Sequence, residues 1–142
     1  MEKNISFRMA VIQVPQFAIL QDKAPNLDNV FNIDTQFQFK IDANNKMIGC
    51  LASIKYRLED TVFLIADVFC GFAIHPENWD SLIVNGKISF SKNFLRHITL
   101  HTIGTARGII YSRTESTPFS MFILPPINVE EAIKEDVTFP LE

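Results

Sequence analysis

Residues 91–129 read SKNFLRHITLHTIGTARGIIYSRTESTPFSMFILPPINV. Phe94, Leu95, Ile98, Ile103, Ala106, Ile109 and Ile110 recur at helical spacing, so an apolar stripe can face a core. That spacing predicts the main helix, with Ser89 or Ser91 as its N-cap. The character changes at Thr114-Glu115-Ser116-Thr117-Pro118, and a short apolar run crosses Phe119 to Leu124. Pro125-Pro126, which cannot donate backbone hydrogen bonds, ends it. Gly104 and Gly108 each cost the helix about 1 kcal/mol relative to Ala; close approach of a helix from another subunit is the preferred reason for them. Val129–Glu135 predicts a short acidic helix, capped by Asn128, with Ala132 and Ile133 inward.

Everything upstream reads as sheet. Ile5–Val14 alternates with a phase slip near Ala10, as a bulged strand would, and Phe17–Leu20 resumes it after Pro15. Asp22–Asn29 is a turn-rich connection. Thr35–Asp42 sets Phe37, Phe39 and Ile41 against Gln36, Gln38, Lys40 and Asp42, and Asn44-Asn45 turns the chain into Met47. The next strand puts Ile48, Cys50, Ala52, Ile54, Tyr56 and Leu58 on one face. Val62–Ile74 differs, because Val62, Leu64, Ala66, Val68, Cys70, Phe72 and Ile74 form one face while Phe63, Ile65 and Phe69 populate the other. A strand apolar on both sides is expected at the centre of a sheet, with one face on a helix and the other on a second subunit or a partner, in preference to a sandwich of two sheets within one chain. A two-residue turn at Glu59-Asp60 pairs Cys50 with Phe69 and turns Cys70 to the opposite face, which disfavours a disulfide unless a bulge changes the register. After the sheet, Trp79 is expected to pack a loop onto it, and Val84-Asn85-Gly86-Lys87 is a turn signal.

The chain has 142 residues, enough for one domain spanning 1–142 and its core. Apolar residues make up 47%, with thirteen Phe, more than one subunit of this size readily covers, which suggests self-association or a greasy binding surface. Lys87–Arg113 holds five Lys/Arg and no acid, whereas the chain after Arg113 holds six acids against Lys134 alone. A solvated basic helix face is the expectation; with a net charge of −3 and no aromatic interleaving, nucleic acid is not an expected partner. The start has no apolar signal core, and Val62–Ile74, broken by Asp67, is too short to span a bilayer. A cytoplasmic protein without membrane insertion is expected.

No nucleophile elbow or phosphate-cradling glycine loop occurs, and Glu59-Asp60 sits in a turn where solvation explains it. His97 and His101, four apart on the helix, are the one metal hint, although no Glu follows His97 as a metalloprotease motif requires. A small metal-binding protein or enzyme using this pair is the alternative; the main reading has no enzyme activity, cofactor or metal. Binding is better supported: the two-faced strand together with Phe119, Phe122 and Ile123 can form a groove for extended, unfolded polypeptide. The same side chains can equally be core or subunit interface.

Ala106-Arg107, Pro118-Phe119 and Leu124-Pro125-Pro126-Ile127-Asn128, together with Ala24-Pro25-Asn26, Val30-Phe31, Asp34 and Glu59-Asp60-Thr61-Val62-Phe63-Leu64, resemble the protein-export chaperone SecB in the right order over most of the chain. The resemblance implies an α+β fold, a four-stranded antiparallel sheet with one long and one short helix. It also implies a homo-oligomer (a dimer or a tetrameric dimer of dimers) and grooves that hold unfolded client proteins. Carried over position by position, the groove aromatic falls at Phe63, beside Leu64 and Ile65. Other aromatic positions fall at Thr35, near Phe37, and at Thr105 and Ile133. The client-binding groove is therefore expected from Phe37, Phe63, Leu64, Ile65, Phe119, Phe122 and Ile133. The chain departs from the family in placing Pro118 before Phe119. The family's acidic contacts to the translocation ATPase SecA fall at Lys23 and Ala66, and its basic zinc-binding tail has no counterpart before Glu142, which argues against SecA docking. The expectation is a chaperone of unfolded or partly folded polypeptides, serving protein transport and translocation or, as other SecB-like proteins do, a toxin–antitoxin pair.

Overall fold

A computed structural model describes residues 4–26 and 31–141. Part of the expected connection between the first two strands, and Val30 of the family resemblance, lie outside the described residues. Four long strands, β1 (Phe7–Ile19), β2 (Asn32–Asp42), β3 (Met47–Leu58) and β4 (Thr61–Ile74), form an antiparallel sheet of order β1-β4-β3-β2. The long helix α2 (Lys92–Thr114) packs on one face of β3 and β4. The expected α+β architecture, with β4 inside the sheet, is met.

The register of that sheet turns on one residue. Glu59-Asp60 is the two-residue turn, with Glu59 at φ 54°, but beyond Arg57↔Val62 the pairing jumps to Tyr56↔Leu64, leaving Phe63 as an extra residue. Cys50 therefore faces Cys70 rather than Phe69. The expectation that Cys70 points to the opposite face is thus corrected: both thiols lie buried on the helix side, and both are free. Phe63 joins Leu64 in the core instead of alternating to the far face. β1 also follows its sequence, as one strand with irregularities between Met9 and Val11 and between Gln13 and Gln16, the second around Pro15.

On α2 the buried stripe is Leu95, Ile98, Thr99, Thr102, Ile103, Ala106, Ile110 and Thr114. The three buried threonines satisfy themselves, their hydroxyls donating to the carbonyls of Leu95, Ile98 and Ile110 at 2.7, 2.9 and 2.8 Å. Ser91 is the N-cap, accepting from Phe94 N at 3.2 Å, whereas Ser89 bonds Thr138 across a second sheet. That sheet has no counterpart among the strands expected from the sequence: β5 (Ile83–Val84), β6 (Lys87–Phe90) and β7 (Val137–Pro140) pair in that order. Asn85 and Gly86, at φ 53° and 74°, make the tight turn between its first two strands. Trp79 lies not on a loop but on a short helix, α1 (Pro76–Ser81), buried beside Phe90.

The chain after α2 returns along it. This strap, residues 118–133, comprises a 3-10 turn, Pro118–Met121, an extended stretch and α3 (Val129–Ala132), which Asn128 caps by accepting from Glu130 N and Glu131 N. The helix is shorter than Val129–Glu135; Val129 and Ile133 face inward, and Ala132, expected inward, is exposed. Two arginines hold the strap. Arg107 donates to Leu124 O (2.7 Å) and Pro125 O (3.1 Å), and Arg96 to Ile133 O (2.8 Å) and Glu130 O (3.1 Å). The basic helix is therefore not simply a solvated face, since two of its guanidiniums bind the following segment.

Phe63 meets Phe31, Tyr56, Phe119 and Phe122 at ring separations of 5.2–6.3 Å. Within this cluster the Tyr56 hydroxyl is buried without a hydrogen-bond partner. Phe63→Ala should lower stability by about 3–5 kcal/mol. Tyr56→Phe, which removes an unsatisfied polar atom, should leave stability unchanged or raise it. Urea denaturation of the two variants checks both.

Candidate functional site

The expected groove residues divide by burial. Phe63 and Leu64 are fully buried, and Phe119, Phe122 and Ile133 are 2–6% exposed, so these five are core in this chain. The bulge draws Phe63 inward, and the 3-10 turn folds Phe119 and Phe122 under the strap. Phe37 remains half-buried on the helix side of the edge strand β2, and Ile65 half-buried on the opposite, open face. The expected set is thus not one continuous lining; it splits between the core and the two sides of the sheet.

Other accessible apolar groups carry no mark in an alternation pattern. Along the strap Phe122 and Leu124 point inward, while Ile123 between them is 55% exposed and Met121 is 45% exposed. On α2, Leu100 and Tyr111 are exposed, and Gly104 and Gly108 have open space where a side chain would project. Among the described residues nothing lies within 4 Å of a side-chain carbon placed at either glycine.

On the open face, Phe69 lies across Gly49, close enough that a Cβ there would collide with the ring. Lys40 Nζ sits 4.8 Å from the centre of the same ring. Phe69 and Lys40 border two shallow hollows of about 190 and 410 Å³; the first is also lined by Gln13, Gln38 and Leu51, the second by Val11, Met47 and Gly71. The surroundings offer apolar contact and amide groups, with Lys40 lining both hollows and Asp42 the second, an arrangement suited to binding.

The helix does bring His97 and His101 together, with ring centres 4.8 Å apart and both rings against Phe7. Among the described residues no group of three or more His, Cys, Asp or Glu is placed to hold a metal ion. No helix among them is long and apolar enough to cross a membrane.

Burial pushes the Cys50 thiol up to about 11, against weaker hydrogen bonding from Thr102 and Thr99, and raises Cys70 as well. A raised folded-state value means that the protonated thiol's stabilising contribution is complete below the ordinary value of 9.0 and is lost as pH rises towards 11. Urea midpoints should accordingly fall across that window in the wild type and fall less in Cys50→Ala. A second prediction concerns the open face: Gly49→Ala should cost about 1–3 kcal/mol by overpacking. In a Phe69→Ala background the same change should cost much less, a coupling that a double-mutant cycle measures.

No protein-family model matches the chain, and no curated protein matches it in sequence. Among solved structures, the Mycobacterium tuberculosis SecB-like chaperone Rv1957, in complex with a ChAD peptide from the Rv1956 HigA1 antitoxin, is similar with a TM-score of 0.48 and 13% identity, covering 85% of this chain and 90% of that one. A protein of unknown function from Streptococcus agalactiae is similar with a TM-score of 0.38 and 15% identity, covering 80% and 91%.

Proposed function

We propose that this protein is a molecular chaperone that binds unfolded or partly folded polypeptide and has no reaction of its own. The observation that supports this reading is the strap. Phe119, Phe122 and Leu124 anchor it in the core, while Met121 and Ile123 present apolar side chains to solvent from a segment bounded by Pro118 and Pro125. Outward apolar residues on a firmly held segment forgo burial worth about 25 cal/mol per Å², and a client's apolar side chains restore it. Ile65 and Phe69, half-buried on the open sheet face, offer a second apolar contact. Apolar burial of this kind needs little sequence specificity, as a chaperone of varied clients requires.

In this proposal the protein acts as a homo-oligomer, and its client is an exported precursor or an antitoxin; the M. tuberculosis neighbour's bound antitoxin peptide makes the latter worth testing. Light scattering of a chemically unfolded client diluted into the protein, with solution mass measured alongside, tests the reading. Wild type should suppress aggregation. A Met121→Ser, Ile123→Ser variant should require several-fold more protein for equal suppression, with unchanged mass and melting temperature. Wild type that fails to suppress at several-fold excess would overturn the proposal, and full activity in the variant would remove the strap as its site.

A further inference from the structure

Two side chains on α2 take no part in the strap or in the open sheet face. His97 and His101 stand four residues apart, so both project from one side of the helix. Both are exposed, and their ring centres are 4.8 Å apart. A residue of another element keeps them there: Phe7, on the edge strand β1, meets the two rings edge-on at 5.6 and 6.2 Å, and Phe72 touches His101 at 6.4 Å. Ring packing of this kind makes no use of a nitrogen lone pair. Among the described residues neither imidazole makes a hydrogen bond or an ion pair, whereas His75 accepts from Glu77 N at 3.3 Å.

We propose that His97 and His101 together bind one divalent transition-metal ion, copper(II) in preference to nickel(II) or zinc(II). Imidazoles held at about 2.0 Å by one ion, at an angle of about 90–110°, have ring centres about 4.5–5.2 Å apart. The observed 4.8 Å falls inside that span. Packing against Phe7 restricts both rings before any metal arrives, which lowers the cost of ordering them on binding.

The preference among metals follows from the surroundings. Lys87–Arg113 holds no acid, and Arg8 joins His101 in lining a hollow of about 270 Å³ beside Phe7, Met9 and Phe72. Without a carboxylate the place does not suit magnesium or calcium, whose ligands are oxygens. An ion here is held by nitrogen coordination against a positive neighbour, and for such ligands copper(II) stands above nickel(II) and zinc(II). Among the described residues no third His, Cys, Asp or Glu joins the pair. Water completes the coordination, which leaves positions open to an outside ligand.

Copper binding stands apart from client binding, and its test reads the metal instead of aggregation. Untagged protein titrated with copper(II) against a chelating indicator should take up one ion per chain, with electron paramagnetic resonance showing two imidazole nitrogens. His97→Ala and His101→Ala, each folded by circular dichroism, should each bind at least tenfold more weakly, and His75→Ala should bind as wild type does. Zinc(II) should bind wild type at least tenfold more weakly than copper(II). Wild type that takes up no copper, uptake unchanged by either substitution, a resonance with a single imidazole nitrogen, or zinc held as tightly as copper would each overturn the assignment.

Discussion

The extra residue in the β3–β4 hairpin fixes which side of the central strand is core. If Phe63 were paired, the two-residue turn would place Ile65, Asp67 and Phe69 towards α2. An unpaired carboxylate would then sit in the core, where charge is costly to desolvate. With Phe63 bulged, Leu64, Ala66, Val68, Cys70 and Phe72 face the helix instead and are fully buried, and Asp67 passes to the open side. One inserted residue therefore reconciles a tight turn with a hydrophobic alternation that would otherwise oppose it, and it places Phe63 among the aromatic rings beneath the strap.

The main elements were legible because their signals are long and periodic. Phe37, Phe39 and Ile41 alternate over a whole strand, and Ile98 to Ile110 repeats over several helical turns. The irregularity near Ala10 showed as a phase slip. The bulge at Phe63 is also implicit in the sequence: the apolar faces of β3 and β4 can coincide only if Cys50 meets Cys70, whereas turn length alone pairs Cys50 with Phe69. The small sheet left almost no periodic trace, since its strands have two to four residues and β7 joins β6 from about fifty residues away along the chain.

The accessible surface was less legible than the fold. Apolar identity does not separate Phe122 from Ile123; only the 3-10 turn and the arginine bonds decide which points inward. Three threonines on α2 are polar side chains that the apolar stripe does not include, yet they are buried, each hydroxyl returning to its own helix. Phe69 reads as an aromatic on the far face, but its recumbent position depends on Gly49 of the neighbouring strand, a diagonal contact that alternation along one strand cannot display.

The strap's attachment has an electrical character of its own. Arg96 and Arg107 each grip it at two points, and all four acceptors are peptide carbonyls. Carbonyl oxygens have no proton to gain over the physiological range, and a guanidinium has none to lose. The clasp thus lacks the titrating partner through which acid loosens a carboxylate-bound segment. It also lacks the opposed formal charges that salt screens most effectively. The outward side chains of Met121 and Ile123 are consequently carried on a mount whose hold is indifferent to changes that would rearrange the charged residues around it.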